Sequence, residues 1–581
     1  MNSLPLPQQE TATATLVRTR RSRRIHVTAH RSAGVWLVLA IVLACLTLLL
    51  GLPVGKLLLA GASADGLAAI TAVVVGSDAR ALQNSLLLGL CVGIIGTAVG
   101  FITAYAQVFL EFPGKRLLHW LTLLPLISPP FAAATAIITL FGRRGLISYQ
   151  LFGIELDIYG LPGLIIVIAM TFTPLAYMNI RGMMENLDPS MFEAAASLGL
   201  SELRTLFRVT IPMVVPALLT SFLILFVEAL ADLANPLVIG GDFRVLASQI
   251  YFAIAGSGDI AKAAGLAVVL LVPSLLVFVI QKYWAGKKSV ITVSGKPAGA
   301  FRPIRSRSVR MPVLILASLW MALVVIVFGT ILVGGFVSIL GVNNTFTLDH
   351  YEFVWRLGAD AMQTTLLMTL VAAPIAAALA VLIAWLVVRH FQRFGRVLDF
   401  VGMLGSAIPG TVLGLGFALA YSQPTYFLGA TVLPALAGGL AVGGGSAAII
   451  MVFIARGIPT GQQASISGLK QINPQVDEAA ISLGAGQLAT FVRVSLPLIT
   501  PAIVTAVTYA ITKSMTTITA IIFITTPQTK VMTSQILDEV DAGRFGNAFA
   551  YCTVLIAMVL VILTLTTLLL RRLNRSKRTK Q

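Results

Sequence analysis

Residues 193–216 read EAAASLGLSELRTLFRVTIPMVVP, and residues 478–501 read EAAISLGAGQLATFVRVSLPLITP. The two stretches align without a gap at a constant spacing of 285 residues. Glu193, Ala194, Ala195, Ser197, Leu198, Gly199, Arg208, Val209, Pro212 and Pro216 have identical partners in Glu478, Ala479, Ala480, Ser482, Leu483, Gly484, Arg493, Val494, Pro497 and Pro501. Self-similarity at a fixed distance is the mark of a duplicated unit. Upstream, at a spacing of 280, Gln83 matches Gln363, Ala104-Tyr105 matches Ala384-Trp385, and Pro129 matches Pro409. The chain therefore reads as two similar halves.

Each copy opens on a helix-start signal, Asp188-Pro189 in the first and Asn473-Pro474 in the second, a capping side chain followed by proline at the first helical position. Met191, Ala195 and Leu198 recur as Val476, Ala480 and Leu483, the spacing of one apolar stripe on a short helix. Gly199 and Gly484 close that helix, where a left-handed residue is cheap. Ser201 is placed to cap a second short helix running to Pro212. Each motif is thus expected to form a helix-turn-helix whose small Ala-Ala face, flanked by Glu and Gly, admits close approach of a partner. The plain alternative is a pair of amphipathic interfacial helices, duplicated with the rest of the chain.

Of the 581 residues, 57% are hydrophobic and 11% charged, and the apolar residues come in long runs. A bilayer core needs about 20 such residues per helix. Twelve spans are expected near 34–59, 82–109, 118–140, 161–180, 211–235, 263–284, 311–340, 362–389, 397–421, 430–455, 496–524 and 546–570. The fold class is all-α integral membrane, and six spans per half make the two repeats parallel. The organisation is a basic tail 1–33, a first repeat 34–284 with its motif loop at about 181–210, a linker 285–310, a second repeat 311–570 with its loop at about 457–495, and a basic tail 571–581.

The formal net charge of +18 sits in short segments flanking the spans rather than in a nucleic-acid-binding patch. The positive-inside rule puts both tails, the linker and both motif loops in the cytoplasm, with Arg143 and Arg144 as exceptions. The first apolar run is too long for a signal peptide and is read as an uncleaved span. Cys45, Cys91 and Cys552 fall within spans at no metal-ligand spacing, and the five histidines are scattered; no metal site and no cofactor is expected. Gly51 to Leu57 imitates a phosphate loop, but it has three residues between its glycines, lacks Ser or Thr after Lys56, and starts inside a span.

The loop residues resemble the Glu-Ala-Ala signature of binding-protein-dependent permeases. Glycine follows six residues after the glutamate in both copies; the signature's Leu-Pro is Leu496-Pro497 in the second and Ile211-Pro212 in the first. The resemblance implies the permease fold of type I ATP-binding-cassette importers in the bacterial inner membrane. Two copies of a cytoplasmic ATP-binding subunit would engage Glu193, Ala194, Ala195, Gly199 and Pro212, and Glu478, Ala479, Ala480, Gly484 and Pro497. A periplasmic substrate-binding protein would deliver the solute, and the chain itself would not be an enzyme. The segments ALADLANPLVIGG and SMTTITAIIFITTP resemble those of ferric-iron permeases, with carriers of thiamine, polyamines or aminoethylphosphonate as alternatives. An ion-coupled secondary transporter is the rival from another class, though it has no need of repeated docking loops.

Charges within spans are costly and point to function. Glu228 and Asp232 stand four residues apart, on one face of an expected helix, and correspond to Lys513 and Thr517 in the other half. These four are the expected path residues, with Glu228 and Lys513 as a candidate gating pair and Asp232 facing the aqueous path. The alternative is that they only stabilise the bundle. Gly89, Gly93, Gly96 and Gly100, like Gly410 and Gly414, fit close helix packing, and Pro129 and Pro409 are expected to break the third span of each half.

Overall fold

The structure, a computed structural model, describes residues 33–578 apart from 77, 284–302, 305, 392, 428–429 and 440. The basic tail before residue 33, most of the linker and residues 579–581 lie outside the described residues. The first half is built from α1 (Ala33–Gly61), α2 (Ala64–Val74), α3 (Ala79–Phe109), α4 (Lys115–Leu123), α5 (Pro130–Phe141), α6 (Leu161–Glu185), α7 (Pro189–Ser197), α8 (Glu202–Ala231), α9 (Ala234–Ile239), α10 (Leu246–Ala255) and α11 (Ile260–Tyr283). The second half follows the same plan, with α12 (Arg307–Gly334), α13 (Asp349–Leu357), α14 (Ala359–His390), α15 (Phe394–Ala407), α16 (Gly410–Tyr421), α17 (Ser446–Gln471), α18 (Pro474–Ser482), α19 (Gln487–Leu498), α20 (Thr500–Thr516), α21 (Met532–Asp541) and α22 (Phe545–Arg578). Among the described residues, ten helical runs are long and apolar enough to cross a bilayer, and two bent pairs, α15 with α16 and α19 with α20, bring the number to 12.

The breaks have local causes. Proline lacks an N–H and pushes the residue before it to extended backbone. Pro129 (φ −59°, ψ 139°) and Pro409 (φ −51°, ψ 142°) adopt the same conformation ahead of α5 and α16, and the second-half pair bends by 101°. The expected span 430–455 starts later than hydropathy suggested. A two-stranded hairpin (Thr425–Phe427 with Ala430–Leu433) comes first, then Gly438, Gly443, Gly444 and Gly445 at φ of 95°, 63°, 64° and 93°. Left-handed backbone cannot continue a right-handed helix, so α17 begins at Ser446. The second short helix expected to stop at Pro212 does not stop there either. One wide turn at Leu206–Thr210 makes room for the proline ring, and the helix runs on to Ala231. The same wide turn recurs at Phe491–Ser495, but there the run breaks at Ile499 (φ −94°, ψ 15°), and α19 and α20 meet at a bend of 78°.

Small residues set the helix separations. A Cβ added at Gly93 would stand 2.7 Å from the Phe222 ring, and one at Gly100 2.7 Å from Ala176, so α3 packs through its glycine face against α8 and α6. In the other half, Gly457 and Gly461 of α17 meet Ala376 and Ala380 of α14 and Ala510 and Ala506 of α20.

The first helix of each half lies on the opposite half. On α1, the Leu48 carbonyl accepts a 2.5 Å hydrogen bond from Tyr421 Oη, and the Pro53 carbonyl oxygen lies 2.7 Å from where a Cβ on Gly416 would be. Both partners belong to α16. On α12, Ala317 and Met321 share an apolar cluster with Ala106, Leu110 and Leu118 of the first half.

Candidate docking loops and translocation path

Both motif loops fold as helix, left-handed glycine, helix. Asp188 Oδ1 accepts from Ser190 N at 2.9 Å, and Asn473 Oδ1 from Gln475 N at 3.1 Å, which starts α7 and α18. Gly199 (φ 76°) and Gly484 (φ 89°) stop them. Ser201 then caps α8 through Arg204 N at 3.4 Å, whereas Gly486 stands in its place before α19 and offers no side chain. The apolar stripe turns outward at its ends, where Leu198 is 80% and Leu483 90% exposed. The Ala-Ala face divides: Ala194 and Ala479 are exposed, while Ala195 is buried and Ala480 half-buried, turned toward the helix that follows. Glu193 and Glu478 lie on the exposed side of their helices, Pro212 inside α8 just past its wide turn, and Pro497 at the end of α19.

At the other end of those long helices the halves again match. Helix α8 ends at Asp232 (φ −75°, ψ 124°) and α20 at Thr517 (φ −77°, ψ 127°). Asp232 closes the last turn of α8, one turn after Glu228, and its extended ψ takes the chain out of the helix. One correction follows from burial. Asp232 is 4% exposed and accepts a 2.5 Å bond from Asn235 Nδ2, at the start of α9, so it faces protein rather than an aqueous path. A buried carboxylate needs such partners. Thr517 is likewise buried, its hydroxyl bonded to the Lys513 carbonyl. Glu228 and Lys513 are half-buried, and no ion pair within 4.0 Å joins them in this conformation.

A cross-brace repeats in both halves next to these breaks. Ser85 Oγ accepts from Leu246 N at 2.8 Å, and Thr365 Oγ1 from Met532 N at 2.9 Å, so a hydroxyl on the second span caps α10 in one half and α21 in the other. In the last turn of α21, Glu539 accepts bonds of 2.6 and 2.9 Å from Arg544 and 2.9 Å from Asn547 Nδ2; the Asn547 side-chain oxygen meets His350 Nδ1 at 2.7 Å. Burial acts to raise the Glu539 carboxyl, but those hydrogen bonds and the Arg544 charge outweigh it and hold the group below its ordinary 4.5. A depressed carboxylate contributes stability above its unfolded value and loses it as pH falls through the folded one. The unfolding temperature of the wild type should therefore exceed that of Glu539→Gln at pH 7, and the gap should close below about pH 4.5. An equal gap at pH 7 and at pH 3 would contradict this assignment.

Sequence reasoning missed one polar contact between the halves. Lys282, near the end of α11, pairs with Asp399 of α15 at 2.9 Å, and Gln462 Nε2 of α17 donates to the same carboxylate at 2.7 Å. Lys282 and Asp399 border a cavity of about 450 Å³ that is also lined by Thr220, Gln281, Met403 and Ser467. The available signal was Asp399, a lone carboxylate in an otherwise apolar stretch. Among the described residues, no group of three or more His, Cys, Asp and Glu side chains is arranged to hold a metal ion.

Twelve candidate spans in two matching halves, each with a capped loop helix whose apolar end faces outward, define a duplicated multi-pass permease. The chain belongs to the family described as the inner membrane component of binding-protein-dependent transport systems, which matches it twice, over residues 96–289 and 374–579. It is 34% identical over 501 residues to the ferric transport system permease protein FbpB of Actinobacillus pleuropneumoniae, covering 84% of this chain and 71% of that protein. It is 34% identical over 464 residues, covering 78% and 71%, to the putative ferric transport system permease protein FbpB 1 of Haemophilus influenzae. A 193-residue stretch, 32% of this chain, is 28% identical to 84% of the molybdenum transport system permease protein ModB of Escherichia coli. The chain is thus a transport subunit of the inner membrane, and the carrier reading from another class is set aside.

Proposed function

We propose that this permease moves ferric iron from a periplasmic binding protein into the cytoplasm, driven by two copies of a separate ATP-binding subunit. What supports the cargo is the 34% identity to a ferric transport permease over 84% of the chain. In this reading α7 and α18 each seat in one ATP-binding subunit, with Glu193, Ala194, Ala195 and Gly199, and Glu478, Ala479, Ala480 and Gly484, at the contact and Pro212 and Pro497 at the base of the adjoining helices. Both tails and the 285–310 linker lie in the cytoplasm, since the basic residues there exceed those on the other side. Closure of the ATP-binding subunits draws the loops together and rocks the halves against each other, with Glu228, Asp232, Lys513 and Thr517 around the helix breaks from which the path is gated.

Reconstitution tests this. Vesicles holding the chain, its ATP-binding subunit and the binding protein should accumulate ferric iron only with ATP inside the coupled compartment, and Glu228→Gln should slow uptake. Accumulation of thiamine, a polyamine or aminoethylphosphonate without iron would reassign the cargo. Uptake driven by an ion gradient without ATP, with a Glu193→Ala/Glu478→Ala variant fully active, would overturn the mechanism.

A further inference from the structure

The two loop helices are joined to their halves by different chemistry at equivalent positions. Asp477, in the first turn of α18, takes Arg389 Nε at 2.7 Å, and its other carboxylate oxygen accepts from Ser495 Oγ at 2.9 Å. Arg389 also donates to the Ile472 carbonyl at 3.2 Å. The Arg389 and Asp477 side chains are only 13% and 16% exposed. The end of α14, the residue leading into α18 and the wide turn behind it are therefore tied through one carboxylate–guanidinium pair. At the repeat spacings of 280 and 285 residues, Arg389 corresponds to Phe109 and Asp477 to Phe192. Those two rings lie 5.3 Å apart at 41°, and Tyr105 packs on Phe109 at 5.0 Å. The position is a joint in both halves, ionic in one and aromatic in the other.

A desolvated ion pair whose two members are each held by a further hydrogen bond, Asp477 from Ser495 and Arg389 to the Ile472 carbonyl, fixes direction as well as distance, and breaking it leaves an uncompensated charge. An aromatic contact holds distance but tolerates sliding and tilting. We propose that Arg389 and Asp477 are positioning residues that transmit displacement of α18 to the core of the second half, the role that Phe109 and Phe192 fill for α7. The proposal rests on the reading that α7 and α18 seat in the ATP-binding subunits. A force applied to α18 reaches α14 through the guanidinium. Without it, α18 moves on its own hinge and hydrolysis is no longer matched by transport.

The other half supplies the control. In the reconstituted complex, Arg389→Met should lower solute taken up per ATP hydrolysed by about tenfold, within the usual range of coupling energies. Arg389→Phe/Asp477→Phe, which copies the first-half joint, should restore the ratio to within about twofold of wild type. A purely structural salt bridge would alter yield or unfolding temperature and leave that ratio unchanged. Arg389→Met with a wild-type ratio overturns the proposal, and so does a double variant that stays uncoupled or fails to assemble. If Arg389→Met itself does not assemble, the double variant decides. A wild-type complex with no ATP-dependent uptake would instead refute the docking reading on which the proposal stands.

Discussion

Leu198→Asp combined with Leu483→Asp should leave the chain folded and abolish its co-purification with the ATP-binding subunit. The two leucines are 80% and 90% exposed, and they close α7 and α18 through their backbone N–H groups rather than their side chains. Replacing an exposed leucine removes almost no burial from the fold. In a complex, the same side chains would be the desolvated anchors of a helix seated in a groove, where single substitutions cost about 2–4 kcal/mol, or roughly 30- to 1,000-fold in affinity. A carboxylate in that groove adds the cost of burying an unpaired charge. Matched unfolding curves with lost pull-down would separate docking from folding. An intact complex would remove α7 and α18 as its anchors.

Gly416→Leu should be among the most destabilising single changes in the chain. Its Cβ would meet the Pro53 carbonyl oxygen at 2.7 Å and the Pro53 carbonyl carbon at 3.0 Å, and backbone cannot rotate aside as a side chain can. Helix α1 must then back away from α16, which also pulls the Leu48 carbonyl from Tyr421. Overpacking costs about 1–3 kcal/mol and a stranded buried hydroxyl about as much again. Thermal unfolding in detergent should drop by many degrees for Gly416→Leu, while Gly55→Ala on α1, with nothing within 4 Å of its new Cβ, should be silent. Equal melting of the two variants would mean that α1 is not seated on α16.

The parts of this architecture governed by local chemistry were legible in the sequence. Asp188-Pro189 and Asn473-Pro474 fix helix starts through hydrogen bonds within two residues, Gly199 and Gly484 fix stops through φ, and Pro129 and Pro409 fix breaks. Span count followed from hydropathy for the same reason. What sequence did not carry is backbone detail under uniform apolarity. The glycines from Gly438 to Gly445 look as hydrophobic as their neighbours yet exclude a helix, and one wide turn lets α8 pass a proline that should have ended it. Nor did it carry pairings across long separations. Lys282 meets Asp399 only through the fold.

The exchange of first helices has a consequence for biosynthesis. Tyr421 stands 373 residues after the Leu48 carbonyl that it will hold. At about 5–20 residues per second, α1 leaves the ribosome on the order of half a minute before its seat on α16 exists. Over that interval it must be kept by lipid or by the insertion machinery. Each half is born without one of the helices packed on it and carrying one that packs on its twin. A chain cut within 285–310 should therefore yield function only when both fragments are made together in one membrane.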